Sequence, residues 1–408
     1  MKIIKSILFY LIAGLFISCA NDDDQTSIPK TNLLATIDFT ELNANAIPSM
    51  IFANDEQGKL IAQIHTNSSQ EIFELNVEDG YAGSKFTLNY YYDYSSSDEK
   101  YITTYYEVPV GIPITYKSNV FNMSNEIKFN FDLTTTSNYQ VNIFGLRQQI
   151  IDQTDDNLGN LSRTYAYDPE ASARKIFIKL HYIDDTGSRR FFYKWIENYK
   201  ATTEYNFTRS DFNEVSLISP TINDEADDYS SIDLFGKVGT FNCNLYDYQT
   251  RNFYNVTDGF DSYSIKYNGG YSDNVAHEES FSTISIPNNI TITRPSWDFN
   301  YGAVDNSIQT TSQGDFSYVI LRTAYENPAD NRNWSLFMPS TAQNHKIPEL
   351  PTTIATYYEH HFDDTSSFDQ HYASMILNST SINYSDLIFS IVNDGFNLEE
   401  RKKLIKYF

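Results

Sequence analysis

Through the middle of the chain, apolar and polar residues alternate at period two, the mark of strands with one buried face. Ile127, Phe129, Phe131 and Leu133 alternate with Lys128, Asn130 and Asp132. The same spacing recurs at Phe73/Leu75/Val77, Phe86/Leu88/Tyr90, Ile176/Ile178/Leu180/Tyr182, Phe191/Tyr193/Trp195, Phe316/Tyr318/Ile320 and Trp334/Leu336/Met338. Turn-forming clusters at 55–58, 184–187, 268–270 and 327–331 punctuate these runs. Short strands between Gly-, Asp- and Asn-rich turns predict an all-β chain of two or three antiparallel β-sandwich-like modules. The expected layout is one module over 31–165, a second over 166–300, and a β-rich region over 301–408. The Asp55-x-x-Gly58 and Asp184-x-x-Gly187 turns each precede a strand, an Asn turn and a further strand, which raises the prospect of a duplicated β-domain; two unrelated hairpins would look the same. Helix is expected only at the end. Asn397-Leu398-Glu399-Glu400 has the form of a capping box, Leu398, Leu404, Ile405 and Phe408 form an apolar stripe, and Arg401, Lys402, Lys403 and Lys406 suit a helix C-terminus.

Composition narrows the partners. The 408 residues include 32 Tyr and 28 Phe but 3 Trp, so the core is aromatic and β-favouring. With 53 acidic against 29 basic residues the net charge is −24. That balance disfavours nucleic acid, whose phosphates are bound by Lys and Arg, and it disfavours anionic lipid headgroups. Carbohydrate, protein or cationic partners stay open, and glycan or another envelope protein is the partner expected. Of two cysteines, Cys243 sits in an apolar stretch and is expected to be a small buried strand residue.

Residues 1–18 carry Lys2 and Lys5 ahead of an apolar run from Ile7 to Ile17, the order of a secretory signal, and the run is too short to span a bilayer. Phe16-Ile17-Ser18-Cys19 follows. The segment resembles a lipobox, with Phe16 where leucine is more usual, and this implies cleavage before Cys19 and lipid on its thiol. Residues 19–30 read as an acidic flexible tether. Asp22, Asp23 and Asp24 close behind the cysteine resemble the export signal of Bacteroidota surface lipoproteins. The resemblance implies an outer-membrane protein facing the exterior, touching the membrane through its anchor alone.

Catalytic signatures are sparse. No G-x-S-x-G elbow, Walker loop or dinucleotide fingerprint occurs, and His277-Glu278-Glu279-Ser280-Phe281 has Phe281 where a second zinc ligand belongs. Two clusters are weighed as metal sites and set aside. In the cluster of His360, His361, Asp363, Asp364, Asp369 and His371 the first two would point to opposite faces of a strand and 363–367 reads as a turn, and the acidic loop at 152–160 lacks calcium-loop spacing. No metal or cofactor is expected. Trp297, beside Pro295, is the candidate for stacking on a sugar ring. The sequence therefore points to a non-catalytic binding or structural ectodomain. The alternatives are a glycan-directed hydrolase with unmarked carboxylates, or a subunit of an uptake or adhesion assembly.

Overall fold

The structure is a computed structural model. It describes residues 31–408 apart from 41–46, 68–69, 95–98, 117–124, 134–136, 147–149, 155–159, 168–174, 201–202, 240, 248–251, 328–329, 342–343, 360, 364–365, 367, 379–383 and 385–400.

Among the described residues strands dominate, and one seven-strand pattern occurs three times. In the first copy the strands are Thr31–Asp38, Met50–Asn54, Leu60–His65, Ile72–Tyr81, Lys85–Tyr94, Glu99–Pro109 and Ile112–Thr115. Its first strand pairs antiparallel with the fourth and parallel with the seventh. The second pairs with the third and the fifth, and the fifth with the sixth. Two sheets result, in the order four-one-seven over three-two-five-six.

The second copy repeats each of these pairings with Asn125–Asp132, Ser137–Phe144, Ile150–Thr154, Asn160–Tyr167, Lys175–Ile183, Arg189–Glu197 and Glu204–Thr208. In the third the first strand is split. Leu217–Ile218 pairs antiparallel with the fourth strand, Asn252–Tyr254, and Thr221–Asn223 pairs parallel with the seventh, Asn289–Thr291. Tyr229–Val238, Phe241–Asn244, Ser262–Tyr271 and Val275–Thr283 supply its second, third, fifth and sixth strands.

Four further strands join the first copy to the third. Tyr318–Asn327 lies between Asp330–Pro339 and Gln370–Asn378. Asp330–Pro339 runs parallel to Glu99–Pro109, the sixth strand of the first copy. Arg401–Tyr407 pairs antiparallel with both Gln370–Asn378 and Val275–Thr283, the sixth strand of the third copy. One 12-stranded sheet results. Where this sheet is covered on both faces it needs apolar side chains on both. Accordingly, Ile51 and Ala53 enter one core with Phe73 and Leu88, while Met50 and Phe52 enter another with Trp334 and Leu336. That second face is roofed by Asp298–Val304, Ser307–Gln313, Asn344–Lys346 and the helix Thr352–Tyr358.

The all-β expectation holds, and three of its details change. The C-terminal segment is a strand, because it is hydrogen-bonded along both edges and buries Leu404 and Ile405 on opposite faces. Asn397 to Glu400, the proposed cap, lie outside the described residues. The helix observed instead, Thr352–Tyr358, follows Pro351. Second, residues 268–270 belong to the strand Ser262–Tyr271 rather than a turn. Gly269 and Gly270 leave room there for two tyrosines, since an added β-carbon would fall 2.0 Å from the Tyr267 hydroxyl oxygen and 2.2 Å from the Tyr229 ring. Third, the module borders at 165/166 and 300/301 fall inside the strands Asn160–Tyr167 and Asp298–Val304.

Candidate functional site

The face that the 12-stranded sheet turns toward the first copy's core continues past that core, and there it carries tyrosines. Strand alternation and register fix which residues share it. Tyr407 lies opposite Tyr372, Tyr372 opposite Arg322, and Arg322 opposite Ser335. Tyr229, at the start of its strand, lies opposite Gly270. The Tyr372 and Tyr407 rings are 5.6 Å apart at 48°, and an Arg322 guanidinium N–H donates to the Tyr372 hydroxyl at 3.0 Å. Tyr229 donates to Asn268 Oδ1 at 3.5 Å, and its ring occupies the space a β-carbon on Gly270 would fill. Burial first, then the neighbouring phenols of Tyr229 and Tyr372, holds the Tyr407 hydroxyl above its ordinary value. Tyr229 and Tyr407 each remain 48 % exposed, and Arg322 is exposed.

A second group lies on the same face of the first copy's sheet. Tyr92 and Tyr94 stack with ring centroids 6.1 Å apart, and Tyr101 meets Tyr94 edge-on at 5.6 Å. Asn331 and Asn333 of the adjoining strand follow, with Asn333 Nδ2 donating to Asn331 Oδ1 at 3.1 Å. An open sheet face bearing two tyrosine groups with polar side chains between them can hold an extended ligand without enclosing it.

Chemistry-bearing side chains elsewhere are enclosed or engaged. Between the second and third copies Lys179, His181 and Asp247 are buried together. Lys179 donates to the carbonyl of Tyr246 at 2.7 Å, and burial lowers its pKa to about 8. His181 Nδ1 stands 3.7 Å from Asp247, yet burial outweighs the carboxylate and lowers its pKa to about 4. Arg189 approaches Asp247 at 4.0 Å and the Tyr254 hydroxyl lies 3.5 Å from His181. Cys243, buried nearby, has its thiol pushed up to about 12 by burial, which suits the structural part expected of it. A cavity of about 320 Å³ lies beside a bulge in the first copy, lined in part by Glu107, Asp55, Thr87 and His345. Glu107 adopts φ 56° there and is held by Lys85 at 2.7 Å.

The residues singled out in the sequence are placed as follows. Trp297 is 8 % exposed, its indole N–H donates to Asp315 at 2.5 Å, and its ring packs against Gly314 and Phe316. Its faces are enclosed, which removes it as a stacking platform. Cys19, Asp22, Asp23 and Asp24 lie outside the described residues, as does His360. His361 is buried among aromatic rings, its Nε2 is 2.9 Å from the Thr323 hydroxyl, and burial lowers its pKa to about 3. His371 lies near Tyr301 and Phe408, and no group of three metal-ligating side chains occurs among the described residues. His277 stands on a strand, 3.3 Å from Glu279. Of the acidic loop at 152–160, residues 155–159 lie outside the described residues. Tyr229, Tyr372, Tyr407 and Arg322 escape sequence reading because no local motif joins them; pairing between distant strands does.

No protein-family model matches this sequence, and no curated protein matches it. Among solved structures, a Ca2+-stabilised adhesin with which an Antarctic bacterium binds ice is 8 % identical, with 86 % of this chain and 96 % of that one covered, at a TM-score of 0.13. Trypsin-activated alpha-2-macroglobulin from Escherichia coli is 9 % identical at a TM-score of 0.13, with 88 % of this chain matched to 28 % of that one. Native E. coli alpha-2-macroglobulin is 10 % identical, at 90 %, 28 % and 0.14. Similarity at these TM-scores carries no argument about fold or activity.

Proposed function

We propose that the chain is a lipid-anchored cell-envelope protein that acts by binding, through the tyrosine face, and not by catalysis. The observation that carries this is the exposure of Tyr229 and Tyr407 side by side with Tyr372 on one sheet face, in a chain that otherwise packs most of its aromatic rings inside. Clustered exposed aromatic surface marks interaction sites. The enclosure of Lys179, His181 and Asp247, and the pairing of Glu107 with Lys85, support a binding role over a hydrolytic one. The lipobox-like segment ending at Cys19 and the acidic run behind it support an outer-membrane anchor with the folded part outside. No helix among the described residues is long and apolar enough to cross a membrane.

Two experiments test the two halves of this reading. Cys19→Ala is expected to abolish lipidation and to move the protein out of the membrane fraction; unchanged lipidation and fractionation would refute the anchor. For the face, a photo-reactive phenylalanine analogue is placed at position 407 of the full chain in cells. A slower-migrating adduct is expected there and not from the same analogue at exposed Tyr357. Equal adducts from both positions, or none from 407, would contradict the binding reading.

A further inference from the structure

We infer that the tyrosine face takes a neutral polysaccharide chain, an assignment that rests on the binding reading above and names its ligand. The first argument is shape. Small-molecule sites are concave and enclose most of their ligand, whereas here the tyrosines stand on the face of a sheet. From Lys85–Tyr94 to Arg401–Tyr407 there are five strand spacings, through Glu99–Pro109, Asp330–Pro339, Tyr318–Asn327 and Gln370–Asn378. At about 4.8 Å each, the outermost strands of the two tyrosine groups lie roughly 24 Å apart, and their nearest members, Tyr101 and Tyr372, lie three spacings or roughly 14 Å apart. Such a span suits an extended polymer and greatly exceeds one sugar unit.

The second argument is chemical texture. Aromatic rings mark the two ends, and between them the face carries Thr103, Ser335, Asn333, Arg322 and Gln370. These are hydroxyl, amide and guanidinium groups, donors and acceptors that match a ligand rich in hydroxyls. A protein interface has an apolar, water-excluding centre with a polar rim, and this face has the reverse arrangement.

Charge supplies the third argument. Arg322, Arg401 and Lys403 on this face are offset by Glu278, which lies 3.2 Å from Lys403 and 3.7 Å from Arg401, and by Glu99 and Glu326 toward the other tyrosine group. The face is thus near charge balance on a chain of net charge −24, so a polyanion gains little locally and is repelled at long range. A neutral chain avoids both penalties.

The test is affinity electrophoresis of the detergent-solubilised full chain through gels containing β-1,3-glucan, xylan, dextran or alginate. At least one neutral polymer is expected to retard the protein. Tyr407→Ala and Tyr372→Ala should each weaken that retardation at least ten-fold, and Tyr357→Ala should leave it unchanged. Thermal melting of each variant confirms that it is folded. Retardation by alginate alone, or retardation unaffected by Tyr407→Ala and Tyr372→Ala, overturns the inference. If no polymer retards the protein while the position-407 adduct forms and mass spectrometry of its tryptic digest finds peptides of a second protein, the ligand is a protein, and the binding reading survives without the glycan. If both retardation and adduct are absent, both readings fall.

Discussion

Trp297 and Tyr407 exchange the places their sequence contexts suggest. Trp297 follows a proline and polar residues, the setting of an exposed loop, yet Asp315 satisfies its N–H and Phe316 covers its ring. Tyr407 follows Lys406 near the chain end and attracts no notice until pairing sets it beside Tyr372. Deleting a buried indole leaves a cavity, so Trp297→Ala should cost about 3–5 kcal/mol of stability. Tyr407→Ala, at a half-exposed site, should stay within about 0.5 kcal/mol of wild type. Urea unfolding of the two variants checks this pair; equal losses would mean that one ring has been assigned to the wrong environment. His345 and His361 make a second contrast. Burial lowers their pKa values to about 4 and about 3, so both imidazoles stay neutral where an exposed one would charge. Neither should titrate between pH 8 and pH 5 by NMR, and a midpoint near 6.5 for either would contradict its burial.

At the scale of elements, the alternating patterns were legible because burial on one face leaves a period-two record. The runs containing Ile127, Phe129 and Phe131, and Phe86, Leu88 and Tyr90, form strands as read. The C-terminal strand misleads for a physical reason. Leu404 packs into the core that holds Trp334 and Ile405 is buried on the opposite face, so two adjacent residues are both buried and their spacing no longer separates strand from helix. Its cations looked like a helix C-terminus but meet acids across the sheet, Lys402 with Glu279 at 3.1 Å and Lys403 with Glu278 at 3.2 Å. This strand alone connects the third copy's strands to the rest of the 12-stranded sheet. Leu404→Ala should therefore cost about 2–5 kcal/mol, and the amides of Arg401–Tyr407 should exchange as slowly as those of core strands. Fast exchange along this segment would show that it frays like an ordinary terminus.

For the whole molecule, repetition was sensed in the sequence but set in the wrong register. The two D-x-x-G turns are built alike, with Gly58 and Gly187 at φ 80° and 79° and each aspartate accepting from the backbone two and four residues on. One joins the second and third strands of its copy, however, and the other joins the fifth and sixth, so they are not equivalent positions. Strand pairing persists where side chains diverge, and only the pairing exposes three copies. The contact between the second and third copies has its own pH signature. His181 is held near 4 against about 6.5 in an unfolded chain. The unfolded state therefore binds more protons in that window, and stability from this group is lost as pH falls from about 6.5 to about 4. Lys179, at about 8 against about 10.4 unfolded, makes stability rise over that alkaline interval. Lys179→Met should abolish the alkaline rise in urea midpoint while the acid limb remains; an unaltered alkaline limb would assign it to other groups.

What the chain does depends on whether the tyrosine face is open to the cell exterior, and its cysteine content allows a direct measurement. Cys19 is the proposed lipid site, and Cys243 is buried with its thiol pushed up to about 12. A Tyr407→Cys variant of the full chain therefore places the one accessible thiol on the face itself. Washed intact cells are treated with a membrane-impermeant maleimide and the protein is then isolated. The account predicts labelling at position 407 on intact cells, suppressed by the polysaccharide that retards the wild type. Labelling only after the cells are broken would contradict outward display, and no labelling even then would contradict an open face.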